Sequence, residues 1–192
     1  MRTVAVLCCA KKSVYHSMDG VECFDSSRNA LNFPGGMPIV AHPPCRSWSA
    51  FCKHQAKPES GEKELGIWCA EQLRKCGGVL EQPAHSGLFS AAGLPLPGKI
   101  EGDLWSLEVW QRWWGYTTKK NTWLCFCGVE PSRIYTPFQL HSGGRDRRLM
   151  QLMSHNQRSA TCSNFAEWIV DAARQSNLSL DIFPPVGVDC RP

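Results

Sequence analysis

The chain has 192 residues, 43% of them apolar and 20% charged, with a formal net charge of +4; this suits one globular domain and excludes a disordered chain or two well-buried domains. Apolar runs such as "TWLCFCGV" at 122–129 fall short of the roughly 20 residues a membrane helix requires, and the first residues show no signal-peptide pattern, so a soluble cytoplasmic protein is expected. Eleven cysteines, odd in number and scattered, argue against a secreted disulfide scaffold and for a reducing compartment.

"RTVAVLCC" at 2–9 is a short, nearly continuous apolar run that fits a buried strand at the centre of a parallel sheet. A short helix over 14–20 follows, then a second strand, "VECFD" at 21–25, ending on Asp25. Residues 26–33 predict a helical turn capped near Ser26 or Ser27, and "MPIVAH" at 37–42 a third strand. Across 60–76, Leu65, Trp68, Cys69, Leu73 and Cys76 recur at helical spacing with polar residues between them, and Gly77 and Gly78 stop the pattern. "GVLEQP" at 78–83 reads as a strand closed by Pro83, so 39–83 forms a strand, loop, helix and strand, expected to be a right-handed crossover unit.

Residues 84–104, rich in Gly and Pro, are expected to make an excursion over the sheet edge. "SLEVWQRWWG" at 106–115 resembles a short helix ending at Gly115, and 122–129 another buried strand. "HSGGRDRR" at 141–148 has the composition of a loop. A last amphipathic helix is expected over 163–175, with Phe165, Trp168, Ile169 and Ala172 on one face, before an irregular tail at 177–192. The alternation of strands and helices predicts an α/β sandwich with a mainly parallel sheet, formed by one domain over 1–176.

In such sheets ligands gather beyond the carboxyl ends of the strands, and three polar residues fall there: Asp25, Cys45 and Glu81. Cys45 follows His42-Pro43-Pro44 on a proline-stiffened turn, where Arg46 beside it would favour the thiolate. It is either a nucleophile or a small residue filling space. Glu81 ends its strand where burial is expected to raise its pKa, so that it donates or shares a proton; a structural carboxylate capping a loop amide is the alternative. His42, Cys45, Cys52 and His54 are metal-ligand types, but no Cys-x-x-Cys pair supports zinc, and no metal is expected. His16, His85, His141 and His155 show no visible pairing. Lys and Arg cluster at 11–12, 117–122 and 143–148, either as solvated surface or as phosphate contacts.

Taken in order, these pieces resemble the cytosine-C5 DNA methyltransferases. Pro43, Pro44, Cys45 and Ser49 match that family's Pro-Pro-Cys loop with its nearby Ser, and Glu81-Gln82-Pro83 looks like its Glu-Asn-Val signature. "GVECFDSSRNAL" at 20–31 resembles the segment whose acidic strand-end residue holds the cofactor ribose, which gives that role to Asp25. "WWGYTTKKNTWLCFCGV" at 113–129 is similar to the Gly-x-Pro-Gln-x-Arg-x-Arg stretch, with Lys120 and Thr122 at the paired arginines. "SNFAEWIVDAAR" at 163–174 is similar to the closing helix that returns to the cofactor pocket.

The resemblance spans nearly the whole chain and implies a Rossmann-like, methyltransferase-type fold. It implies that the Cys45 thiolate adds to C6 of a cytosine while Glu81 engages N3, with Lys120 in the catalytic group, so that C5 becomes a nucleophile. The default donor it implies is S-adenosylmethionine, held by Pro43, Asp25 and Asn164, and the substrate is DNA or a pyrimidine nucleotide. For DNA the base must leave the stack, and Arg46, Ser49, Lys119, Arg145, Arg147 and Arg148 are the expected nucleic-acid contacts. The chain departs from the family in having no glycine between its first strand and Gly20, and in lacking room for a target-recognition domain. A small modification enzyme of phage or prophage type would have that form. Two other readings stay open: a catalytically degenerate module that grips DNA or a partner protein, and a nucleotide-processing hydrolase with Glu81 as general base.

Overall fold

In the computed structural model, which describes residues 1–48, 59–137, 152–154, 157 and 160–178, the first apolar run forms β1 (Val4–Cys9). It pairs in parallel with β2 (Val21–Asp25) on one side and β3 (Ile39–Ala41) on the other. β4 (Gly78–Pro83) joins in parallel beyond β3, and α1 (Glu62–Cys76) connects the two, so the expected strand, helix and strand unit is present.

Local chemistry explains α1. Glu62 and Glu64 occupy its first turn and Arg74 and Lys75 its last, each favourable to the helix dipole. Gly66, Cys69, Ala70, Leu73 and Cys76 form its buried face. Gly77 ends it at a φ of 70°, with its N–H returned to the Leu73 carbonyl at 2.9 Å. Gly78 follows at a φ of 116°, and a Cβ there would lie 2.0 Å from the Ile39 carbonyl oxygen. Only glycine lets β4 lie this close to β3.

Beyond β4 the sheet departs from the mainly parallel arrangement expected. β5 (Ile100–Glu101), β6 (Leu104–Trp110) and β7 (Asn121–Cys127) complete seven strands in the order β2-β1-β3-β4-β7-β6-β5. The pairings β4–β7, β7–β6 and β6–β5 are all antiparallel, so the protein has a mixed sheet. The segment 106–115 is the source of the difference, because most of it is strand. Trp105, Leu107 and Val109 alternate onto one face of β6, a period of two, while Glu108 accepts from Trp123 Nε1 at 2.9 Å and from Asn121 Nδ2 at 3.0 Å across the ladder. Only Gln111–Trp114 turn helically, as a single 3-10 turn that stops at Gly115.

Strand alternation divides the core between two faces. Ala5, Leu7, Ile39, Ala41 and Leu80 meet α1 and α2 (Gly87–Ala91) on one side. Val4, Val6, Val40, Val79 and Phe126 meet α3 (Ser163–Arg174) on the other, where Phe165, Ile169 and Ala172 are buried as the helical spacing predicts. Each large apolar side chain so buried contributes about 1.5–3 kcal/mol. Among the described residues no helix is long and apolar enough to cross a membrane.

Gly78→Ala is expected to lower the unfolding free energy by about 2–4 kcal/mol, measured by urea denaturation followed through tryptophan fluorescence. A change below about 0.5 kcal/mol would mean that β3 and β4 do not meet at this point.

Candidate active site

β1 leads to β2 on one side and β3 lies on its other side, so the direction of winding reverses at their carboxyl ends, the place where open α/β sheets gather ligands. His42, the residue after β3, is held there by its N–H on the Leu7 carbonyl at 3.0 Å. Its Nε2 meets the Tyr15 hydroxyl at 2.8 Å, and its Nδ1 meets Glu81 Oε2 at 3.0 Å. Tyr15 comes from the 3-10 turn Val14–Ser17 and is buried. On the far side, Gln111 Nε2 donates to Glu81 Oε1 at 3.3 Å and to Thr122 Oγ1 at 3.1 Å. A continuous polar chain thus runs from the β1–β2 connection to the β6–β7 turn. Gln111 Oε1, also buried, finds no partner among the described residues.

The electrostatics of Glu81 reverse the sequence-based expectation. Burial does push its pKa upward, but the hydrogen bond from His42, the charge of His42 and the charge of Lys120 together hold it below the usual carboxylate value. Glu81 is therefore an ionised acceptor and not a poised proton donor. Lys120 shifts the other way: burial lowers its pKa, partly opposed by the negative charges of Glu81, Cys162 and Cys45. Burial, and then the Glu81 carboxylate, push the Tyr15 phenol well above its ordinary value, so it stays neutral.

Cys45 lies half-buried beyond Pro43 and Pro44 on a turn that β4, α1 and α2 all brace. Gln82 Nε2 donates to the Pro43 carbonyl at 2.6 Å, and Ser86 Oγ donates to Gln82 Oε1 at 3.0 Å. The Trp48 carbonyl accepts from the Gly87 N–H at 2.8 Å, and the Trp48 N–H donates to the Cys45 carbonyl at 3.0 Å. The Trp48 ring sits against Gly66 of α1. Gln82 therefore ties the cysteine turn to the strand that carries Glu81.

Of the sequence-predicted residues, Lys120 comes within electrostatic reach of both Glu81 and Cys45. Lys120 Nζ donates to the Ala160 carbonyl at 2.6 Å and stands 4.9 Å from the centre of the Tyr116 ring. Lys119 turns instead over Trp110, at 4.7 Å. Arg46 is claimed by acids: it donates to Glu59 Oε1 at 2.8 Å and also to Glu62. Asn164, in the first turn of α3, donates to the Trp114 carbonyl at 3.3 Å. Ser49, Arg145, Arg147 and Arg148 lie outside the described residues, as do Cys52 and His54.

Asp25 ends β2 with Oδ1 fixed by the N–H groups of Ser27 at 2.8 Å and Arg28 at 3.1 Å. Those two amides, Arg28 first, hold its pKa below the ordinary value. Its Oδ2 is 3.7 Å from His16 Nε2, beyond hydrogen-bond reach. An oriented, ionised carboxylate with one oxygen left to accept can bind a ligand hydroxyl.

His42 as a partner of Glu81, together with Tyr15 and Gln111, escaped the reading of the sequence. The rule that located Cys45 and Glu81 at strand ends applies equally to His42, the last residue of "MPIVAH". Tyr15 and Gln111 come from connections whose path only the sheet order reveals. No protein-family model, curated protein or solved structure matches the chain.

Because the folded pKa of Glu81 is depressed, the unfolded chain binds more protons in the interval between the two values. Its contribution to stability is full above the ordinary carboxylate pKa and is lost as pH falls through the folded one. Glu81→Gln is expected to flatten the acid side of a plot of denaturation midpoint against pH; an unaltered decline would refute an ionised Glu81. Gln82→Leu strands the Pro43 carbonyl and should cost about 1–3 kcal/mol in a denaturant titration, whereas a neutral substitution would show that the cysteine turn is held by other means.

Proposed function

We propose that this chain is an enzyme that modifies a cytosine base, in DNA or in a nucleotide, through transient addition of the Cys45 thiolate to C6. The observation that carries the reading is that the Lys120 ammonium lies within electrostatic reach of both Glu81, on β4, and Cys45, on the turn after β3. A thiol on a braced turn, a fixed carboxylate and a half-buried ammonium are the groups that thiol addition to a pyrimidine requires.

Attack of the Cys45 sulfur on C6 moves the C5–C6 electron pair onto C5 and builds negative charge toward N3 and O2 of the base. The Lys120 ammonium opposes that charge in a partly dry environment, where its effect is larger than in water. Glu81, fixed by His42 and Gln111, accepts from the exocyclic amino group of the base, so that the ring is held in the plane of attack. S-adenosylmethionine, when bound with its ribose on Asp25 and flanked by Pro43 and Asn164, supplies an electrophilic methyl carbon for C5. Loss of the C5 proton to a base and departure of the Cys45 sulfur with its electron pair restore the aromatic ring and the thiolate. In DNA the base is flipped from the stack first, with Lys119, Ser49 and the arginines at 145, 147 and 148 on phosphates.

A second reading is favoured by two observations: no glycine separates β1 from Gly20, and Arg46 spends its charge on Glu59 and Glu62. On that reading the chain grips DNA or a partner protein and catalyses nothing.

Incubation with cytosine-containing DNA, or with cytidine nucleotides, and S-adenosylmethionine, followed by digestion to nucleosides and mass spectrometry, separates the two. The expected result is a modified cytosine whose yield falls roughly a thousandfold or more in Cys45→Ala. No product, with DNA binding unchanged in Cys45→Ala, would sink the enzyme and leave the binding module.

A further inference from the structure

Three metal-ligating side chains lie together at the carboxyl ends of β1 and β2. Cys9 closes β1, Cys23 lies in β2, and His16 stands on the 3-10 turn between them. One ligand atom from each lies within 4.8 Å of the other two. Six residues separate each ligand from the next along the chain, a spacing unlike that of any zinc finger, which is why a search for Cys-x-x-Cys pairs does not find the group.

The backbone creates this grouping. The β1–β2 register shifts between Leu7 and Cys9, and Cys8 takes a φ of 62°. That bulge turns Cys8 to the α1 face, where its Sγ is 3.8 Å from Cys69 Sγ, and puts Cys9 on the α3 face with Val6 and Cys23. In an unbroken strand Cys8 would follow Val6 onto that face and Cys9 would point away. A non-glycine residue at positive φ is strained, and here the effect of that strain is to aim one thiol at another.

Two thiolates and an imidazole form a donor set that suits zinc, and Asp25 Oδ2, 3.7 Å from His16 Nε2, adds negative charge beside it. Tetrahedral zinc with bonds of about 2.0–2.3 Å places its ligand atoms roughly 3.5–3.8 Å apart. Side chains already within 4.8 Å of each other need to close by only about 1 Å.

We propose that Cys9, His16 and Cys23 bind a zinc ion, with a water as the fourth ligand, and that the ion clamps the β1–β2 connection. Binding releases the two thiol protons to solvent and involves no redox change. The clamp also acts on the neighbouring site, because Tyr15 precedes His16 in the same turn and its hydroxyl meets His42. A metal cross-link fixes this connection, whose one glycine, Gly20, lies at its far end beside β2.

The assignment is independent of the reaction proposed above, and its test needs no turnover. The full chain, stripped of metal and kept in a non-thiol reductant, is titrated with cobalt(II) and followed by absorbance. One equivalent is expected to give the d–d bands of a tetrahedral site together with a thiolate-to-cobalt charge-transfer band, both removed on adding zinc. Cys23→Ser and His16→Gln should each weaken binding roughly tenfold or more, while Cys45→Ser leaves the titration unchanged. His16 is an exposed side chain, so His16→Gln keeps its fold, as circular dichroism would verify. Absence of the charge-transfer band at one equivalent of cobalt, or an unweakened titration in both His16→Gln and Cys23→Ser, would overturn the site.

Discussion

Everything at the candidate site depends on how closely β4 lies against β3. Gly78 has no side chain to hold the strands apart, and from that contact the register runs Ile39 to Gly78, Val40 to Val79 and Ala41 to Leu80. One step further, His42 falls beside Glu81. Because side chains alternate along a strand, a slip of one residue would send Glu81 to the α1 face and break its contact with His42. The same alternation sends Gln82 to the opposite face, where it holds the Pro43 carbonyl. Neighbouring residues of β4 therefore serve two ends: Glu81 anchors the polar chain, and Gln82 anchors the turn that carries the thiol.

Burying a carboxylate is costly unless its oxygens are satisfied and an opposite charge is near. Both Glu81 oxygens have partners, one on His42 and one on Gln111, and Lys120 supplies charge beyond them. These partners come from three separate parts of the chain, so the ionised state of Glu81 is a property of the assembled sheet. The mixed topology contributes directly. An antiparallel β7 begins where the parallel β4 ends, which delivers Lys120 and the Gln111 turn to the end of the sheet that holds His42. A fully parallel sheet would have placed the start of that strand at the opposite end.

Much of the parallel half was legible in the sequence because each of its elements carries a local signal. The apolar runs at 4–9 and 39–41, the helical spacing in α1 and the glycines after it each point one way. The antiparallel half was less legible. Across β6 and the turn after it, tryptophans at 105, 110, 113 and 114 fit a helical face about as well as a strand, and the pairing of Glu108 with Trp123 and Asn121 decides for a strand across a distance no local window sees. At the site, strand ends pointed to Asp25, Cys45 and Glu81. The direction of the Glu81 pKa shift was misjudged because burial alone was weighed, and the opposing charges come from His42 and Lys120. Cys9 and Cys23 were hidden by the bulge at Cys8, which no alternation rule anticipates.

Lys120 has one further property. Its φ is 39°, a left-handed conformation that glycine adopts freely and a lysine adopts at a cost of roughly 1–3 kcal/mol. Selection for thermal robustness alone would place glycine at position 120 and discard the ammonium. The fold keeps the charge and accepts a weaker turn, so in this hairpin stability and the electrostatics of the site oppose each other at a single residue.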